Sequence, residues 1–317
     1  MLSERLASLK VDRLRTFLAV VRHGSFSAAA EALFLPQPRV SQHVADLERL
    51  FGAQLFDRSR QPVTLTESGR RLLPHVQAIV DSLGAAVRDL DHADGPLGGT
   101  VVIGMYPSAA AHCYGELVRR MRQTQPGVEV VLWEGATLEL GTALTAGDVD
   151  LVIRPRLPTP EHVDRLAWET LWSEPLVAVL PADGSGPEPG GDTAELTELR
   201  GRPLITIGAA HGPGDRLAGF DCTAALSAAD LIGSVAYRTN QPQTLVSMVR
   251  SGLGIGITNH LAVHTSNRDG VRVVPLTGED CSREVALWWR ARIPLSASVA
   301  AVAEVCRRIA VPARTDR

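Results

Sequence analysis

The sequence predicts a multidomain protein with two unlike parts: a largely helical N-terminal module, residues 1–94, and an α/β part, residues 95–317. Three observations carry this. Amphipathic helix patterns follow one another closely through residues 12–50. The breaker cluster Ala93-Asp94-Gly95-Pro96-Leu97-Gly98-Gly99 then interrupts the chain. Beyond it, strand and helix patterns alternate almost to the end.

Composition narrows the class. At roughly 100–200 residues per domain, 317 residues make two or three domains. A hydrophobic fraction of 45% with 21% charged residues is enough to bury a core. No run of 18 or more apolar residues occurs, so no transmembrane helix is expected. The start, MLSERLASLKVDRL, has no apolar signal core, and a cytoplasmic location is expected. Cys113, Cys222, Cys281 and Cys306 are far apart and show no metal spacing, which predicts reduced, mostly buried thiols. A redox or metal sensor using Cys222 or the pair His112 and Cys113 is the alternative. The net charge is -3, yet residues 1–60 hold nine Arg and Lys against six acids. A basic end on an acidic body suits a polyanion-binding module.

Each N-terminal element follows from its residues. Leu14, Phe17, Leu18 and Val21 make one face of a helix over 12–22, which Gly24 ends. Ser25 or Ser27 can cap a second helix at about 27–33, where Ala29 and Ala30 allow close packing. After Phe34-Leu35-Pro36, a third helix runs over about 37–50 with Val40, Val44, Leu47 and Phe51 in one stripe. Its exposed N-terminal face offers Gln37, Pro38, Arg39, Ser41, Gln42 and His43. Two helices joined by a tight turn, the second polar at its start, make a helix-turn-helix. Arg and Gln can make bidentate hydrogen bonds to base edges. Residues 52–58 and 62–66 read as two short strands around a polar turn, a wing whose Arg58 and Arg60 suit phosphates. A long helix then runs to about Asp91. Its Leu73, Val76, Val80, Leu83, Val87 and Leu90 form a coiled-coil seam, read as a dimerising linker rather than a helix packed on its own domain.

The run SFSAAAEALFLPQPRVSQHVADLERLFGAQLFDRSRQPVTLTESG resembles the DNA-binding domain of LysR-type transcriptional regulators. The resemblance covers helix-turn-helix, wing and linker helix in order. It implies a winged helix-turn-helix over 1–66, a dimerisation helix over 67–94 and an effector-binding domain over 95–317. The expected DNA contacts are Ser25, Gln37, Pro38, Arg39, Ser41, Gln42, His43, Arg58, Arg60 and Thr66. Pro36 stands where the family usually has Ser or Thr, Arg39 where it has a small residue, and Gln42 where it is often basic. The operator sequence is therefore not carried over.

In the second part, strands are expected at 100–105, 128–133, 151–153, 176–180, 204–207, 235–238, 254–258, 271–275 and 284–289. Helices are expected at 108–123, 138–146, 242–251 and 296–309, and residues 182–193 read as a surface loop. The alternation alone predicts parallel α/β sheets. GDVDLVI and TLVSMVRSGLGIGITNHLAV resemble the family's effector domain, which has two lobes like a periplasmic solute-binding protein. That implies lobe one at about 98–155 and 271–311, and lobe two at about 164–262. The chain would then cross between lobes near 155–164 and 262–270. Expected effector contacts are Ser108, Thr137, Arg154, Thr206, Gly208 and Thr239, with Arg154 pairing a ligand carboxylate and Ser108 and Thr206 hydrogen-bonding it. Gly252-Leu253-Gly254-Ile255-Gly256 has the wrong spacing for a dinucleotide loop, and neither GxSxG nor HExxH occurs. An enzyme is therefore not expected, nor a cofactor or metal. An exported solute-binding protein would leave the first ninety or so residues unexplained. Expected partners are double-stranded DNA at a near-palindromic site, a small-molecule effector, RNA polymerase and further copies of the chain as dimer or tetramer. No membrane partner is expected.

Overall fold

The structure is a computed structural model that describes residues 9–59, 62–91, 97–184, 192–208, 222–278 and 280–309. Arg60, residues 93–96 of the breaker cluster and residues 185–191 of the expected loop lie outside them. The chain divides into two compact units, residues 1–91 and 92–317.

In the first unit, helices α1 (Val11–His23), α2 (Phe26–Ala32) and α3 (Gln37–Phe51) surround one core. Leu14, Phe17, Ala29, Ala30, Val40, Val44 and Leu47 are buried together, matching the apolar spacings of the sequence. Val20 is buried more deeply than its neighbours Leu18 and Val21, so the inner face of α1 is turned slightly from the expected one. Ser25 caps α2 by accepting from Ala28 N, and Pro38 occupies the first turn of α3. Strands β1 (Phe56–Asp57) and β2 (Thr64–Leu65) form the wing. Phe56 carries the wing into the core, with its ring 5.2 Å from Phe17 and 5.8 Å from Phe26. Helix α4 (Glu67–Asp91) leaves from the wing. Its Gly69 is required there, because a Cβ would stand 2.1 Å from the Leu55 carbonyl oxygen.

The seam of α4 divides. Val76 is buried in the core of the unit, with Leu73 and Val80 packed against it. Leu83 and Val87, at 43% and 57% exposure, are uncovered, as is Ile79 one turn before Leu83. The side chain of Leu90 lies outside the described residues.

The second unit is built on a ten-stranded sheet system among the described residues. Strands β3 (Gly98–Met105), β4 (Gly127–Glu134) and β5 (Leu151–Pro155) run parallel, with β3 in the middle. Between β3 and β4 the chain forms α5 (Pro107–Ala109), a π-turn (Ala110–Tyr114) and α6 (Gly115–Thr124), where the sequence suggests one continuous helix. Helix α7 (Thr137–Ala146) follows β4. Strand β6 (Leu166–Pro181) is followed by the short β7 (Ala194–Glu195) and by β8 (Leu204–Ile207). Then come α8 (Thr223–Ala228), β9 (Val235–Thr239), α9 (Pro242–Arg250), β10 (Ile255–Asn259) and α10 (His260–His264). Strands β11 (Val271–Thr277) and β12 (Ser282–Arg290) and helix α11 (Ala297–Arg307) close the fold.

Three sequence expectations are corrected. First, the sheets are mixed, because β12 pairs antiparallel with both β5 and β6, and β10 and β11 pair antiparallel with β6. Second, the strand expected at 176–180 begins at Leu166. Its first half, LAWETLWSEP, lies outside the expected strands, but pairing with β12 and the stacking of Trp168 on Trp288 hold it extended. Third, the crossings between lobes move. Residues 166–175 pair with β12 of lobe one, whereas 176–181 pair with β10 and β11 of lobe two. The chain therefore enters lobe two inside β6 and returns between β11 and β12. Strand β11, expected in lobe one, belongs to lobe two because it pairs with β6 from Val177 to Pro181.

Candidate nucleic-acid interface and effector site

On α3 the six expected contacts share one outer surface. Gln37, Pro38, Arg39 and Gln42 are exposed, while Ser41 and His43 are half-buried. Several of them are already organised by neighbours. Gln37 Nε2 donates to Ser41 Oγ at 3.2 Å. Gln42 Nε2 donates to Asp46 Oδ1 at 2.7 Å, so Gln42 turns its carbonyl outward. Asp46 also receives Arg49 at 3.0 Å and Arg13 at 2.8 Å. The Gln42 amide, with both arginines behind it, holds the Asp46 carboxyl below its ordinary range. Arg39 keeps a free approach from solvent. His43 Nδ1 lies 2.8 Å from Thr16 Oγ1 on α1.

The wing contributes differently. Arg58 is ion-paired to Glu48 at 3.0 Å and lies over the Phe26 ring at 4.9 Å. Glu48 also accepts from Leu55 N, so one α3 carboxylate fixes both the approach to the wing and its arginine. Thr66 is a tether: its hydroxyl donates to Gln54 O at 2.7 Å and accepts from Gly69 N at 3.1 Å. Beside it, a groove of about 660 Å³ has Arg58 and Arg70 in its walls. Arg70, which donates to Leu65 O and pairs with Glu67, is a cation that the sequence reading did not single out. The spacing that puts it in the groove comes from the β2–α4 corner, which has no periodic signal.

In the second unit, the expected effector contacts gather at one kind of place. Ser108 and Thr137 open the helical segments after β3 and β4. Thr206 and Gly208 lie at the end of β8, and Thr239 ends β9. All stand at carboxyl ends of parallel strands, where open α/β sheets bind ligands. The two lobes bring such ends together: α10, after β10, packs on α5, after β3. The His112 and His264 rings are 6.2 Å apart across that junction. Ser108, Thr137, Thr206 and Gly208 are buried. Thr206 Oγ1 has no hydrogen-bond partner among the described residues. Thr239 Oγ1 accepts from Gln241 N at 3.1 Å, and Gly208 N donates to Thr239 O at 3.0 Å, tying the ends of β8 and β9.

Arg154 belongs to strand β5. It lies within β5 rather than after it and is fully buried. Nη2 donates to the Pro158 carbonyl, and the guanidinium carbon lies 5.3 Å from the centre of the Trp288 ring. Gly141 leaves room for it, since a Cβ there would be 3.1 Å from Nη1. As the fourth of the five residues of β5, Arg154 also stands at the carboxyl end of a strand parallel to β3.

A buried cluster that the sequence reading missed sits where β6 changes lobes. Glu174 Oε1 accepts from Arg283 Nε at 2.7 Å and from the Tyr106 hydroxyl at 3.1 Å. Arg283 also lies over the Tyr106 ring at 4.9 Å. Glu174 falls between the expected crossing near 155–164 and the expected strand at 176–180, where no element is expected, which hid its register opposite Arg283. None of the four cysteines forms a disulfide among the described residues, and all four are buried. Burial pushes the Cys113 and Cys306 thiols up to about 12 and also raises Cys281. Among the described residues no group of three or more His, Cys, Asp or Glu side chains is arranged to hold a metal ion, and no helix is long and apolar enough to cross a membrane.

Known proteins match over nearly the whole chain. Residues 11–70 match the bacterial regulatory helix-turn-helix protein, lysR family, and residues 94–310 match the LysR substrate binding domain. The HTH-type transcriptional regulator IlvR of Caulobacter vibrioides is 33% identical over 289 residues, covering 89% of this chain and 92% of the relative. A probable hydrogen peroxide-inducible genes activator of Streptomyces viridosporus is 30% identical, covering 84% of this chain and 82% of the relative. A full-length, singly substituted OxyR from Pseudomonas aeruginosa has a similar fold, with TM-score 0.70, 23% identity and 95% of each chain covered. CbnR in complex with its target DNA is similar in fold at TM-score 0.58, 20% identity, 95% of this chain and 100% of that one. With a winged helix-turn-helix at one end and an α/β effector-binding domain at the other, the chain belongs to the LysR family of DNA-binding transcriptional regulators.

Proposed function

We propose that this regulator senses a small carboxylate-bearing molecule at the facing strand ends of its two lobes, and that binding changes how a dimer or tetramer engages DNA. The observation that carries the reading is the convergence of Ser108, Thr137 and Thr206 on carboxyl ends of parallel strands, with the Thr206 hydroxyl buried and unmatched. The helical start after β3 has no acidic side chain in its first turn, which favours an anionic group there, whereas after β4 the Glu139 carboxylate already accepts from Ala136 N. Arg154 plays no direct part in this reading. It supports the wall by holding β5 to Pro158 and Trp288.

On the DNA side, Gln37, Arg39, Ser41, Gln42 and His43 meet base edges in the major groove, while Arg58, Arg60 and Arg70 meet phosphates. Ser25 and Thr66 shape the surface through the bonds they already make. A paired chain reads two half-sites of a near-palindrome, and RNA polymerase is a further partner of the bound complex. The setting is cytoplasmic. Some relatives' names refer to hydrogen peroxide, but three of the four thiols here are held protonated by burial, which favours ligand occupancy over thiol oxidation.

A thermal-shift screen of small carboxylates tests the ligand class, followed by DNA mobility shift with each hit. A hit should stabilise the wild-type protein and alter its DNA complex. Ser108→Ala and Thr206→Val should each lower affinity for it about 10- to 150-fold, the range set by losing one hydrogen bond to a charged group. Carboxylate binding that is indifferent to both substitutions would refute the assignment.

A further inference from the structure

His43 stands on the outer face of α3, yet it is fastened backward into the core. Its Nδ1 lies 2.8 Å from Thr16 Oγ1. The Thr16 hydroxyl donates to the Asp12 carbonyl at 2.7 Å. A hydroxyl has one proton, so towards His43 it can only accept. Nδ1 therefore carries the hydrogen, and in the neutral ring Nε2 is the bare nitrogen. Thr16 is fully buried, so the ring is oriented from within the core while the imidazole itself stays half-exposed.

A bare nitrogen is an acceptor, but a DNA surface presents mostly acceptors. Phosphate oxygens, guanine O6 and N7, adenine N7 and thymine O4 all need a donor, and only the adenine and cytosine amino groups suit a bare Nε2. The charged groups around the ring are Arg39 and Asp46 on α3 and Asp12 and Arg13 on α1. In the free protein burial, then Arg39, then Arg13, hold its proton affinity below that of an ordinary histidine, against the pull of Asp12 and Asp46. A docked duplex reverses this balance. Its phosphates offset both arginines and add a negative potential of their own.

We propose that His43 is a proton-linked DNA contact: docking is accompanied by uptake of one proton from solvent at Nε2, and the new N–H donates to an acceptor atom of the DNA while Nδ1–H stays on Thr16. This rests on the reading that the outer face of α3 enters the major groove. A group that holds its proton more tightly in the complex makes the complex tighter as pH falls. The affinity should rise by up to about tenfold per pH unit while the bound ring is protonated and the free ring is not. It should level off once the free ring is also protonated.

The test uses the full-length protein and a duplex enriched on it from a random-sequence pool. Affinity is measured from pH 8.5 to 5.5 at fixed ionic strength, and binding heats at pH 7 are compared in two buffers of different ionisation enthalpy. The wild type should bind more tightly towards pH 6 and take up protons from the buffer. His43→Gln keeps a donor of similar reach but cannot titrate, so its affinity should show a flatter pH dependence and its proton uptake should fall. Thermal unfolding confirms that the variant is folded. Equal pH slopes and equal proton uptake in the two proteins would overturn the proposal. If they are equal and Arg39→Ala still weakens binding, α3 remains the reading helix and only the proton linkage fails. If Arg39→Ala and His43→Ala both leave affinity unchanged, the placement of α3 on DNA fails with it.

Discussion

Glu174 is a carboxylate with almost no access to water, held by Arg283 and the Tyr106 hydroxyl at the point where β6 passes between lobes. Removing one charge of a buried pair leaves the other uncompensated. Glu174→Gln should therefore destabilise the effector domain by about 3–5 kcal/mol in urea unfolding. A loss under about 1 kcal/mol, the level of an exposed pair, would show that the cluster is hydrated in solution. Cys113 and Cys306 make a second prediction. A folded thiol pushed up to about 12 is a thiolate about once in ten thousand molecules at pH 8, against about one in ten at the ordinary value of 9.0. Iodoacetamide at pH 8 should leave both unmodified in the native protein, by mass spectrometry, and react with all four cysteines after unfolding. The sign also bears on stability: the unfolded chain releases these protons first, so the fold weakens as pH climbs from 9 towards 12. The sequence indicated reduced, buried thiols because neither pairing nor metal spacing was present. Composition cannot tell a guanidinium facing a ligand from one laid on Trp288 and bonded to Pro158, as Arg154 is.

Among the elements, those whose apolar residues repeat at helical spacing were the most legible. Val40, Val44 and Leu47 placed α3 within a residue of its observed ends, because its inner stripe must meet α1 and α2. The first half of β6 was not legible. Its tryptophans and glutamates alternate on a strand whose stability comes from β12, more than a hundred residues later, and local patterns carry no such partner. The seam of α4 was legible as a repeat but not in its allegiance. Val76 closes the core of its own unit, whereas Ile79, Leu83 and Val87 remain uncovered on the same helix. Replacing Leu83 and Val87 together by Ser should therefore leave the thermal stability of the winged unit within about 0.5 kcal/mol, as for other exposed sites. It should shift sedimentation towards the monomer. An unchanged oligomer would assign assembly to a different surface.

For the whole molecule, the order of parts was readable because each announces itself locally: close-set helices, a breaker cluster, then alternation of strands and helices. The partition of lobes was not, because it depends on which strands pair. β6 serves both lobes along one unbroken 16-residue strand, with β12 beside its first half and β10 and β11 beside its second. This bears on how the protein can be dissected. A lobe expressed alone must either break β6 or carry its other half as an unpaired edge, an invitation to aggregate. Chimeras that exchange ligand preference between relatives should accordingly splice within loops of a single lobe, or transplant residues 97–309 intact. The recombination points that look natural in the primary sequence, near 164 and 270, would separate strands from the neighbours that complete them.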